Sequence, residues 1–181
     1  MSSRLIVLLA VLAPGAASPA EVLLIPYQAF PDPSQAARVK EVVDHCTFRH
    51  VLKGLRFTSS EDVFNYLLDR MPLTTAIMRE LKLARYEISR RPDGVMVCDD
   101  REGVVGTLEP VYARCDKRIF YGDGTFDAPL VGRIRGESVI VLDYVEEEPG
   151  RIDNTVSIFI RVHSVLAPIM RLASPAIRGM V

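Results

Sequence analysis

The sequence has almost no excess of charge: 22 Lys and Arg stand against 23 Asp and Glu, a formal net charge of −1 at pH 7. This excludes a nucleic-acid binder whose affinity rests on overall positive charge, though not a local basic patch. Cysteine is scarce as well. Cys46, Cys98 and Cys115 are too few, and odd in number, for a disulfide scaffold, and at most one internal bridge is available to them. Small, mostly buried thiols are the plain reading. No C-x-x-C pair occurs, so neither a zinc ribbon nor a thioredoxin-type site is supported. The histidines are His45, His50 and His163, and they form neither a H-x-x-x-H pair nor a H-E-x-x-H helix. His163 adjoins Ser164, but neighbouring side chains diverge, which disfavours a base and nucleophile there.

Other short motifs are equally bare of chemistry. Gly122-Asp123-Gly124 lacks the third glycine of a dinucleotide loop and opens no helix, so it reads as a turn between strand halves. Asp99-Asp100 and Glu146-Glu147-Glu148 have no EF-hand spacing around them and read as solvated turns. The sequence therefore assigns no catalytic residue, no metal ligand and no cofactor.

What is present is enough apolar material for a packed core. The 181 residues are 49% hydrophobic and 25% charged, which fits one globular domain and disfavours wholesale disorder. The mean hydropathy of +0.17 is high, and part of it comes from residues 1–20. There Arg4 precedes an apolar run from Leu5 to Ala13, broken by Pro14 and Gly15, and Ser18-Pro19-Ala20 offers small residues for a cut after Ala20. That order is expected of a secretory signal peptide, and the run is too short to span a bilayer as a helix. An uncleaved anchor or a buried N-terminal helix is the alternative. Export would make the protein secreted or periplasmic.

Residues 21–46 read as a lead-in segment, extended through the prolines of 21–33 and helical over 34–45, with Ala36, Val39, Val42 and Val43 near one face. Residues 47–57 alternate as a strand, with Phe48, His50 and Leu52 on one side and a bulge or bend at Gly54. One continuous helix over 34–53 is the competing reading. Thr58-Ser59-Ser60-Glu61 is a capping-box pattern, followed by Val63, Phe64, Leu67, Leu68 and Met71 at helical spacing until Pro72. A second short helix, about 73–81, carries Ala76, Ile77 and Leu81 on one side. From residue 84 the pattern changes to six strands joined by short polar turns, which predicts an antiparallel meander. A loop is expected from Pro129 to Gly136. The tail, 163–181, returns to helical spacing, with Pro168 and Pro175 within it.

Strand, two short helices, six strands and a terminal helix: this order resembles the START-like helix-grip superfamily, also called SRPBCC. The passage from Leu55 through the helix start at Phe64 carries the resemblance, together with Gly122-Asp123-Gly124 and Gly136. It covers about residues 47–181, and the lead-in 21–46 has no fixed counterpart. The tail, with its two prolines, is shorter than the family's usual final helix. The resemblance implies an α+β fold, a curved antiparallel sheet of about seven strands gripping a C-terminal helix, with a deep apolar cavity between them.

Alternation places Ile140, Leu142 and Tyr144, with Val156, Ile158, Ile160 and Val162, on the inner face, and Asp143 and Arg161 on the outer. Tyr86, Ile88, Leu108, Tyr112 and Phe120 join the inner set, and Phe64, Leu68, Ile169 and Met170 close it from the helices. A dry, filled core is the competing reading of every one of these positions. The expected partner is a hydrophobic small molecule, lipid or sterol-like, held without nucleic acid. The apolar, weakly basic C-terminal segment is a candidate for contact with a membrane surface. A cyclase or aromatase of the polyketide type, using a pocket Tyr, Asp or Arg, is the enzymatic alternative.

Overall fold

The computed structural model describes residues 25–128 and 132–163. The leader expected over 1–20 and the terminal helix expected after His163, with Ile169 and Met170, lie outside the described residues. A short 3-10 turn (Tyr27–Ala29) leads into α1 (Pro33–Asp44), β1 (Phe48–Thr58), α2 (Glu61–Asp69) and α3 (Met71–Glu80). Six strands follow: β2 (Glu87–Arg90), β3 (Met96–Asp99), β4 (Val104–Arg114), β5 (Lys117–Ala128), β6 (Gly132–Glu148) and β7 (Arg151–His163). All seven strands form one antiparallel sheet in the order β1-β7-β6-β5-β4-β3-β2. Consecutive strands β2 to β7 pair as a meander, and β1 adds to its far edge beside β7. The fold is thus α+β with a single open sheet.

Local chemistry explains most boundaries. Asp32 caps α1, accepting from the Ser34 backbone N–H at 2.8 Å, and Pro33 sits in the first turn, where its missing N–H costs nothing. The strand reading of 47–57 holds over the helical one. Between Leu52 and Leu55 the register slips by one residue, and Gly54 takes φ +66°, a left-handed value that favours glycine. The slip keeps Phe48, His50 and Leu52 on the same face as Leu55 and Phe57.

Three expectations need correction. The cap of α2 is Ser60, whose hydroxyl accepts from Val63 N–H at 3.3 Å, because Thr58 is still paired with Arg151 in the sheet. The expected box from Thr58 to Glu61 is therefore not formed, and Glu61 and Asp62 instead place negative charge on the first helical turn. Gly122-Asp123-Gly124 is no turn but the middle of β5, paired on both sides. A Cβ on Gly106 would lie 2.8 Å from the Gly124 Cα, so β4 and β5 approach there as only glycine allows. Finally, Gly136 belongs to β6, which already begins at Gly132.

The turns also hold surprises. Asp100 is buried, not solvated, and its carboxylate accepts from Glu102 N–H at 2.7 Å and Val104 N–H at 2.8 Å. Glu146 to Glu148, expected as a turn, are the end of β6, where Glu146 accepts from the Gly150 and Glu61 N–H groups, which hold its carboxyl below the usual glutamate range. Cys115 is exposed, between β4 and β5, and Cys46 and Cys98 are half-buried.

The sheet has two covered faces. On one, α1 and the lead-in pack Ile25, Phe30, Ala36, Val39 and Val42 against Ile119, Tyr121, Val139, Val141 and Phe159. On the other lie α2 and α3. Phe64 of α2 meets Tyr144 with ring centroids 4.9 Å apart and Phe57 at 5.0 Å. Thr75 of α3 accepts from the Ile88 N–H of β2 at 3.2 Å.

Candidate ligand-binding face

Residues directly opposite in neighbouring antiparallel strands share a face. Ile140 stands between Phe120 and Ile158, and Leu142 between Arg118 and Val156. Ile160 faces Ser138 and Phe48, Leu108 faces Gly122 and Met96, and Ile88 faces Cys98. Most of the expected inner residues are thus gathered on the α2 face of one sheet. Phe64 and Leu68 approach it from α2, Leu68 half-buried. Tyr86 precedes β2, and its hydroxyl points to the Met78 sulfur of α3 at 3.5 Å. Burial, and then the field of Cys98, raises the Tyr86 phenol above its ordinary value.

Tyr112 is the exception. A bulge between Pro110 and Tyr112 inserts one residue into β4, so Tyr112 pairs with Ile119 and turns to the α1 face. There its ring lies 5.3 Å from that of Phe30. Strict alternation from Leu108 put it on the wrong side, because one extra residue inverts every position that follows. Asp143 and Arg161 do lie opposite Ile140, but that side is not open water. Arg161 pairs with Glu41 of α1 at 2.9 Å, and Asp143 forms an ion pair with Lys117.

Burial differs sharply between the centres of the two faces. Val139 and Val141, on the α1 face, are 0% exposed, whereas Ile140 and Leu142, one residue along the same strand, are half-buried. Ile160, Val162, Leu108, Phe48 and Leu52 are half-buried too, while Phe120 and Ile158 are buried.

The same face carries polar side chains: Tyr144, which alternation places there, and Arg118, Asn154 and His50, which were not assigned to the site. Tyr144, on β6, hydrogen-bonds Asn65 of α2 at 2.5 Å and stands 3.3 Å from the Arg114 carbonyl. Arg118, on β5, is 7% exposed; its Nη1 donates to the Arg114 carbonyl and its Nη2 lies 3.5 Å from Asp69. Among the described residues its buried Nε has no partner. Asn154, directly opposite Tyr144, is 5% exposed with a buried Oδ1 that has no partner among the described residues. The buried Nε2 of His50 also lacks one. Each such atom costs about 1–3 kcal/mol when left unsatisfied. A signal existed in the sequence: Arg118, His50 and Asn154 fall on the alternation frame of Phe120, Phe48 and Val156, where charge or amide is out of place.

Burial is the main cause that pushes the Tyr144 phenol up to about 12; the Arg118 charge opposes it, and Glu61, Asp69 and Asp116 reinforce it. At neutral pH this hydroxyl is a hydrogen-bond donor, not a proton source. Burial, with Asp100 and Asp99 nearby, likewise raises the Cys98 thiol to about 11, leaving it unreactive. Among the described residues there is no group of three or more His, Cys, Asp or Glu placed to hold a metal ion. Nor, among them, is any helix long and apolar enough to cross a membrane. No protein-family model matches the sequence, and no curated protein is significantly similar to it.

Proposed function

We propose that this chain is an exported protein of START-like, helix-grip type that binds an apolar small molecule, lipid or sterol-like, on the α2 face of its sheet. The observation that carries the reading is the half-burial of Ile140 and Leu142 beside the wholly buried Val139 and Val141. Apolar residues at the centre of a sheet reach full burial where a neighbour fills the space; here the ligand's hydrocarbon supplies the remaining contact. Such burial is worth about 25 cal/mol per Å² before ordering costs. Arg118 Nε and Asn154 Oδ1, buried without partners among the described residues, are suited to receive an oxygen and a hydroxyl at the polar end of the ligand. In this reading residues 1–20 direct export and the chain beyond His163 supplies the gripped helix.

Carriage is favoured over polyketide cyclisation by the state of Tyr144. A phenol raised to about 12, with Asn65 already on its hydroxyl, orients a ligand better than it protonates one. The test is native mass spectrometry after incubation with a lipid extract. The protein is expected to retain lipid without converting it, and Ile140→Glu, which sets a charge among apolar neighbours, is expected to abolish retention. A folded Ile140→Glu variant that keeps full lipid occupancy would falsify the assignment of this face.

A further inference from the structure

α3 keeps Thr75 buried and Met71, Thr74 and Met78 half-buried, and leaves Leu73, Ala76, Ile77, Arg79 and Glu80 exposed. Thr75 is its buried residue, 1% exposed, and it accepts from the Ile88 N–H at 3.2 Å while its hydroxyl lies 3.1 Å from the Pro72 carbonyl. The hydrogen bond from Ile88 ties the helix to the edge strand β2, with Met71 and Met78 half-buried beside it. A row of large apolar residues nevertheless lies on the exposed side. Leu73, Ile77 and Leu81, spaced i, i+4 and i+8, are 42%, 42% and 62% exposed, and Leu83 beyond the helix is 57% exposed. A contiguous exposed apolar stripe of this kind marks an interaction surface, unlike a single exposed leucine.

The charge beside the stripe selects the occupant. Arg70, at the start of α3, is exposed and lies over the Tyr66 ring at 3.8 Å. At the other end, Lys82 takes a left-handed φ of +58°, and Lys82 and Arg85 are both exposed. None of these three cations meets a carboxylate among the described residues, whereas Arg79 is held by Glu87 at 3.0 Å. One carboxylate, Glu80, shares the outward arc. Leucines flanked by unpaired cations at both ends of a helix match the acyl boundary and phosphate layer of a membrane.

We propose that the outer face of α3, from Leu73 to Leu83 with Arg70, Lys82 and Arg85 around it, is a docking surface for an anionic lipid bilayer. The helix lies in the interface, the leucines enter the acyl boundary and the cations meet lipid phosphates. Docking does not depend on a cargo site, and it places the chain where a lipid cargo would be collected or released.

The sequence contains no tryptophan, so a single one reports on its own position. Leu81→Trp in the full chain is mixed with vesicles of phosphatidylcholine containing phosphatidylglycerol, and with vesicles of phosphatidylcholine alone. Its emission is expected to shift to the blue with the anionic vesicles. The shift should weaken in high salt, and adding Lys82→Glu and Arg85→Glu should raise the lipid needed by about tenfold or more. Val145→Trp, at an exposed position on β6, is expected not to shift, so association through another segment is told apart. No shift at residue 81, an equal shift at residue 145, or a shift that depends on protein concentration without vesicles would each overturn the proposal, the last pointing to a second copy of the chain. Lipid retention by native mass spectrometry reads the cargo face separately, so either proposal can fail alone.

Discussion

On the α1 face of the sheet, Ile119, Val139 and Val141 are wholly buried against Val39 and Val42, and the polar rim is satisfied. Glu109 accepts from Gln35 at 2.7 Å and Arg38 at 2.8 Å, while Glu137 takes the Tyr121 hydroxyl and sits 2.6 Å from His163. On the α2 face, one residue along the same strands, apolar centres remain half-buried and three buried polar atoms lack partners among the described residues. The strands and their backbone ladder are common to both. The difference teaches that one face is spent on holding the fold together and the other is left with contacts still to make.

The sharpest way to break this comparison is a pair of acidic substitutions at adjacent positions. Val141→Asp buries an unpaired charge in the α1 core and is expected to cost about 3–5 kcal/mol, enough to erase a cooperative thermal transition. Ile140→Glu is expected to melt cooperatively with a loss of about 1 kcal/mol, its main effect falling on lipid retention. Equal destabilisation of both would mean that the faces are energetically alike.

Arg118→Met comes next. Its partner Asp69 is 57% exposed and can return to water, so removing the buried guanidinium is expected to leave the melting temperature nearly unchanged. Lipid retention should fall by about tenfold in a competition assay, the value of one lost hydrogen bond to a charged group. A collapse of the melt with retention intact would move Arg118 from the binding face to the scaffold.

The smallest effect concerns acid. Burial works to raise the Glu137 carboxyl, but the hydrogen bonds from Tyr121 and His163, with the charges of His163 and Arg161, outweigh it and hold the group below its ordinary value of 4.5. A carboxylate lowered in the folded state contributes stability that is complete above its unfolded value and is lost as the pH falls through the folded one. Denaturant titrations from pH 6 to pH 3 are expected to show this loss below about 4.5, and Glu137→Gln to flatten it. An unchanged profile in the variant would show that Tyr121 and His163 give the carboxylate no net support.

Much of this architecture is legible in the chain. Alternation in Phe48-Arg49-His50-Val51-Leu52, Gly54 as a bulge, and the polar turns of the meander each report a local preference that the fold obeys. The candidate site is legible only as far as alternation holds. It gathers Ile140, Leu142, Phe120 and Ile158 correctly and loses Tyr112, because the bulge at Pro110 has no glycine to announce it. Arg118 and Asn154 escaped notice because each looks like an ordinary solvent-facing residue until its face is known. α3 hides for the opposite reason: Ala76, Ile77 and Leu81 read as one apolar side, and periodicity does not say which way that side faces.

By itself, the sequence determined element type and most of the alternation of side chains into two sets along each strand, because these depend on neighbours one to four residues away; the pairing of β1 with β7 does not. Only the tertiary structure decided which set is sealed by α1 and which is left with unmet contacts. It alone turned the leucines of α3 outward. Those outcomes rest on pairings such as Thr75 with Ile88 and Val42 with the sheet, whose partners lie far along the chain and leave no mark in local spacing.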